Sequence, residues 1–239
     1  MDNLDTIADR IRANFTAKNA ARDAALERSR TLIRHCANAI RAVHRDERAL
    51  ASEHIAAARQ IAGDIRADLA TFPDLYHAGY TQDALKEFAE ANIVYALVGA
   101  EPLPEPESIG VEYAAYLNGL GEAAGELRRR CLDIIRHAHS DEAERLLAAM
   151  DDIYSLLVTV DYPDAITGGL RRTTDMVRGV TERTRGDITI SLRQYQLQEA
   201  LRRFGDPTAP GGSSSTASVE GGSTVPADAD SPAAEAGDP

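Results

Sequence analysis

Apolar residues recur at three- and four-residue steps through most of the chain. No segment shows the period-two alternation of a strand. Ile7, Ile11 and Phe15, then Leu26, Leu32, Ile33, Cys36, Ile40 and Val43 mark one side of a long helix over 2–43. Its other side carries Arg28, Arg30, Arg34, Arg41 and Arg45. A second helix is predicted over 46–70, with Ile55, Ala58, Ile61, Ala62, Ile65 and Leu69 inward; Phe72 and Pro73 end it. A loop over 73–82, holding Tyr76, His77 and Tyr80, leads to a helix over 83–98. The run EPLPEPES separates that helix from one over 111–138. Ser140 and Asp141 cap a helix over 142–160, Tyr162 and Pro163 break it, and two more follow over 170–185 and 188–203. The pattern predicts an all-α, seven-helix antiparallel bundle over residues 1–204. Apolar stripes wider than one neighbour needs also favour self-association.

Two helices carry acid where the pattern calls for core. In KEFAEANIVYALVG, Glu87 and Glu90 leave the same side of the helix. Helical steps from them lead to Val94 and Leu97, so the stripe points inward. Like charges on an inward seam are costly unless something positive neutralises them. The helix YLNGLGEAAGELRRR repeats the feature at Glu122 and Glu126. Four carboxylates on two helices suit a divalent cation, and magnesium prefers oxygen ligands. The plain alternative is a pair of solvated faces with Lys86–Glu90 and Glu126–Arg130 ion pairs, each worth ~0.2–0.5 kcal/mol.

Composition sets the limits. From Gly205 to Pro239 the chain is Gly, Ser, Pro, Ala, Thr and acid, a disordered acidic tail by its make-up. The net charge is -12, and the only lysines are Lys18 and Lys86. An acidic, lysine-poor surface points to a salt-adapted protein and lacks the overall basic footprint of many nucleic-acid binders. Cys36 and Cys131 lie in helical patterns with no metal-ligand spacing, so both are expected as buried core thiols. No leader precedes Leu4 and no apolar run is long enough to span a membrane, so a cytoplasmic location is expected. His44 is expected to be structural; His137 and His139 lie near a helix end. Tyr76 and Tyr80 are expected to pack on the bundle, the alternative being stacking on the bases of a single strand.

The order and spacing of four pieces resemble the translin family over most of Leu26 to Asp187. These are ERSRTLIRHCANAIRAVHR, FPDLYHAGY, KEFAEA and GVEYAAYLNGLGEAAGEL. The resemblance implies a helical bundle assembled into hollow, roughly octameric homo-oligomers around single-stranded RNA or DNA. KEFAEA is similar to the acidic motif of translin-associated factor X, a magnesium-dependent endoribonuclease. Its four acidic positions carry over to Glu87, Glu90, Glu122 and Glu126, with Mg2+ (or Mn2+) as the implied cofactor. Translin itself keeps the second pair, lacks the first, and serves as a binding scaffold. Both pairs here imply cleavage; the alternatives are a catalytically inactive scaffold and a purely structural bundle. Two features depart from the family. Glu122 stands where the nuclease subunit has Asp, and HAGYTQD replaces translin's basic stretch. The arginine row of the first helix is either a solvated face or a phosphate lining; for the lining the contacts are Arg34, Arg41 and Arg45, since Arg forks match phosphate oxygens.

Overall fold

The computed structural model describes residues 3–137 and 141–205 and is helical throughout, with no strand among the described residues. Its helices are α1 (Leu4–His44), α2 (Arg48–Asp68), α3 (Pro73–Tyr76), α4 (Gly79–Val98), α5 (Pro106–Ile109), α6 (Tyr113–Ile135), α7 (Asp141–Leu157), α8 (Asp164–Thr167) and α9 (Leu170–Gly205). By chain contacts, Met1–Gln198 form one unit and Glu199–Pro239 a second; the described part of the second is the last turns of α9. The all-α expectation holds. The elements differ from the predicted seven in two ways. The expected loop before the first acidic helix folds into α3 and the opening turn of α4, and α5 and α8 add single turns. The break expected near Gly186 is absent, so the last two helices are one. A mid-helix glycine weakens a helix without obliging it to stop, and Gly186 has nothing beside it that a side chain would strike. Ser140, His139 and the tail beyond Gly205 lie outside the described residues.

Helix α4 is the middle of the bundle. It packs against α1, α2, α6 and α7, and Phe88, Ala89, Ala91, Ile93 and Val94 are all fully buried. Its C-terminal carbonyls are held by cations, as the helix dipole favours. Arg48 Nη1 donates to the Tyr95 carbonyl at 3.0 Å, and Arg145 Nη1 to that of Leu97 at 2.6 Å. Small residues set the α4–α6 spacing. A Cβ at Gly119 would lie 2.8 Å from the Lys86 carbonyl oxygen and 3.0 Å from the Glu90 nitrogen, so only glycine permits this approach. Asn118 ties α6 to its other neighbours, donating to the Thr167 carbonyl (2.7 Å) and accepting from Thr173 (2.8 Å).

Cys36 and Cys131 are free and buried, as expected. Tyr76 and Tyr80 pack on the core. The first turns of α1 depart from expectation: Ile11 is 48% exposed and Phe15 65%. Their helical stripe is real, but nothing among the described residues covers it. Among the described residues no helix is long and apolar enough to cross a membrane.

Candidate functional site

The close approach at Gly119 brings the four glutamates to one seam between α4 and α6. Glu87, Glu90 and Glu122 each present an oxygen within 4.8 Å of the others. Glu90 is the deepest, with 7% of its surface exposed. Burial pushes its carboxyl up to about 8, with further upward pressure from Glu87, Glu122 and Glu126. Glu87 is raised too, first by burial, then by Glu122, with Lys86 opposing. The field of the cluster reaches α1: burial, then Glu87 and Glu90, push the Cys36 thiol well up.

The fourth glutamate is held apart. Glu126 Oε2 lies 2.5 Å from His44 Nε2, and the His44 side chain, in the last turn of α1, is only 4% exposed. His44 Nδ1 is buried without a partner among the described residues. A bare lone pair there costs less than an orphaned N–H, so the hydrogen sits on Nε2 and is donated to the carboxylate. That bond, more than the nearby Arg129, holds the Glu126 carboxyl below its ordinary value.

Among the described residues, Lys86 brings a cation into the cluster. Lys86 Nζ is 2.7 Å from Glu122 Oε1 and 3.6 Å from Glu87 Oε1. Neither ion pair of the plain alternative is what forms. Lys86 reaches across to α6 instead of down to Glu90, and Arg130 pairs with Glu142 and Asp46 while Glu126 faces His44. An all-oxygen donor set, partly dehydrated and already seating an ammonium, fits magnesium or manganese.

Lys86 and Glu122 also line a groove of about 1330 Å³, whose far wall includes Arg171 and Arg172 at the start of α9. Those arginines follow Gly168 and Gly169, both at positive φ (64° and 85°), and the first turn of α9 has no acid. The guanidinium groups and the helix N-terminus add positive charge to a groove that Asp83, Glu112, Glu122, Asp164 and Asp175 also line, and Arg171 donates to Asp161 at 3.1 Å. Arg34, Arg41 and Arg45 sit elsewhere, on the exposed side of α1 and outside this groove. Arg41 donates to Asn38 (2.6 Å) and Arg45 to Glu47 (2.6 Å). Sequence reasoning gave Lys86 only a pair with Glu90, did not single out Arg171 or Arg172, and did not join His44 to Glu126. The one sign available was the rarity of lysine in the chain.

No family model matches the chain. It is 32% identical over 194 residues to the uncharacterized protein MJ0175 of Methanocaldococcus jannaschii, covering 80% of this chain and 85% of that one. AfC3PO, solved alone and in complex with duplex RNA, superposes with a TM-score of 0.72 at 28% identity, covering 78% of this chain and 97% of AfC3PO. Apo-NeC3PO shares the fold, with a TM-score of 0.70 at 20% identity over 77% of this chain and 96% of that one. Fold, motif order and these likenesses agree: the chain belongs to the translin family, that of the C3PO proteins.

Proposed function

We propose that this protein binds single-stranded RNA within a homo-oligomer and cleaves its phosphodiester bonds at the α4–α6 seam. The observation that carries the reading is Glu90: a carboxylate buried in the bundle, with two more within 4.8 Å, has no structural use that an alanine would not serve better. RNA as the ligand is supported by the AfC3PO complex with duplex RNA. Duplex and single strands are therefore both probes in the test below.

Glu87, Glu90 and Glu122 would hold Mg2+ or Mn2+. Such an ion supplies charge neutralisation at phosphoryl oxygens and a more acidic water. Glu126 is kept ionised and aimed by His44, so it can accept the proton of an attacking water. Arg171 and Arg172 offer forks to the phosphates along the groove. Arg34, Arg41 and Arg45 are further phosphate contacts, on the exposed α1 face. The uncovered Ile11 and Phe15 on α1, with Ile190 and Leu197 on α9, support self-association, with an octamer as the size the family suggests.

One observation favours a second reading, a binding scaffold without catalysis: Lys86 already neutralises part of the cluster. The test is cleavage of labelled single-stranded and duplex RNA with magnesium, wild type against Glu126→Gln. That substitution keeps shape and removes charge. Metal-dependent cleavage lost in the variant supports the nuclease. Binding without cleavage by both proteins supports the scaffold.

A further inference from the structure

We propose that Lys86 is an exchangeable counter-ion: its ammonium holds the cation seat of the acidic cluster, leaves it when a divalent ion binds, and then meets RNA phosphate in the groove. This rests on the cluster being a metal site. The geometry argues for exchange rather than a permanent bridge. The ammonium is hydrogen-bonded to a Glu122 oxygen and near a Glu87 oxygen, and these two residues belong to the trio that could take an ion. An ion and an ammonium drawn to the same two carboxylates repel each other and compete for them, which favours exchange.

The way out is short. Lys86 lies in the groove wall beside Glu122, and rotation about its four-carbon stem carries Nζ from the seam to the open side. The residue type fits the task. Lysine is a compact charge with three rotatable donors, whereas arginine's planar fork locks onto carboxylates. Apart from Lys18, paired to Asp74 on the exposed surface, every other Lys-or-Arg position of this chain is arginine. The repulsion within the cluster is thus partly neutralised by its own cation, and metal loading converts that cation into part of the RNA-binding surface. Occupancy of the seam and affinity for RNA become linked, each favouring the other.

The test uses the full-length protein and the metal alone. In lysine-labelled protein, only Lys18 and Lys86 contribute lysine side-chain NMR signals, assigned with Lys18→Arg. Titration with Mg2+ is expected to shift the Lys86 ε-methylene and leave that of Lys18 in place. Mn2+ binding by calorimetry then compares wild type, Lys86→Met and Lys86→Arg, buffered above the Glu90 value of about 8. Lys86→Met is expected to bind Mn2+ about tenfold more tightly, because a charge-assisted hydrogen bond no longer has to break first. Lys86→Arg binds no more tightly than wild type. At saturating metal, Lys86→Met is expected to bind RNA severalfold more weakly than wild type.

Mn2+ binding by wild type that Lys86→Met leaves equal or weakens, or a Lys86 signal that ignores Mg2+ at saturation, overturns the exchange and spares the metal site. No Mn2+ binding by wild type or by Lys86→Met overturns the metal site and the exchange together.

Discussion

Glu90→Gln isolates the stability that the seam gives up. In the metal-free protein the Glu90 carboxyl titrates at about 8, against an ordinary value of 4.5. The folded state therefore binds this proton more tightly than the unfolded state. Because the folded value is the raised one, ionisation of Glu90 weakens the fold. The loss begins as pH rises through about 4.5 and is complete above about 8. At 1.36 kcal/mol per pH unit the gap corresponds to roughly 4–5 kcal/mol, an upper bound once water enters the seam. Glutamine fills the same space without the charge. Urea unfolding at fixed protein concentration, in chelator, between about pH 5 and pH 9 reads the difference. Near pH 5 the two proteins are expected within about 1 kcal/mol of each other. Near pH 9 Glu90→Gln is expected to be more stable by roughly 3–5 kcal/mol. Magnesium then recovers stability in wild type and not in the variant. Parallel stability curves for the two proteins across this range would refute the picture of an ionisable group buried at the seam.

Three further expectations follow from the geometry. Gly119→Ala places a methyl against the backbone of α4 and is expected to cost about 1–3 kcal/mol and to weaken Mn2+ binding, by urea unfolding and calorimetry; an unchanged protein would remove the close approach as a cause. His44→Phe leaves Glu126 unaimed and is expected to lower kcat about 10- to 100-fold at unchanged Mn2+ affinity, with His44→Gln recovering part of it; equal kcat in all three proteins would reduce His44 to packing. Replacing Ile11 and Phe15 by serine is expected to shrink the assembly in light scattering with the helical spectrum intact, because nothing among the described residues covers these side chains.

The bundle was legible because its signal is periodic: stripes such as Leu32, Cys36, Ile40 and Val43 go where helical steps send them, and all are buried. The acid seam was legible for the same reason, and Glu90 is as deep as its place on the Val94 stripe implies. Continuity of α9 was not, because Gly186 permits a break without requiring one. The exposure of Ile11 and Phe15 was not either, since a stripe is the same whether its own chain or another copy covers it. Least visible were the contacts between distant segments. His44 and Glu126 are 82 residues apart, and Lys86 could as well have turned down its own helix to Glu90. Which partner a flexible charged side chain takes is settled by the α4–α6 approach at Gly119, a fact of packing and not of spacing.

The central claim is that Glu87, Glu90 and Glu122 hold a divalent ion. Anomalous diffraction from a crystal of the protein grown with Mn2+ tests it most directly. A manganese peak bounded by these three carboxylates, with Glu126 still on His44, is the expected result. A crystal whose manganese lies elsewhere, with Lys86 still bonded to Glu122, would contradict it.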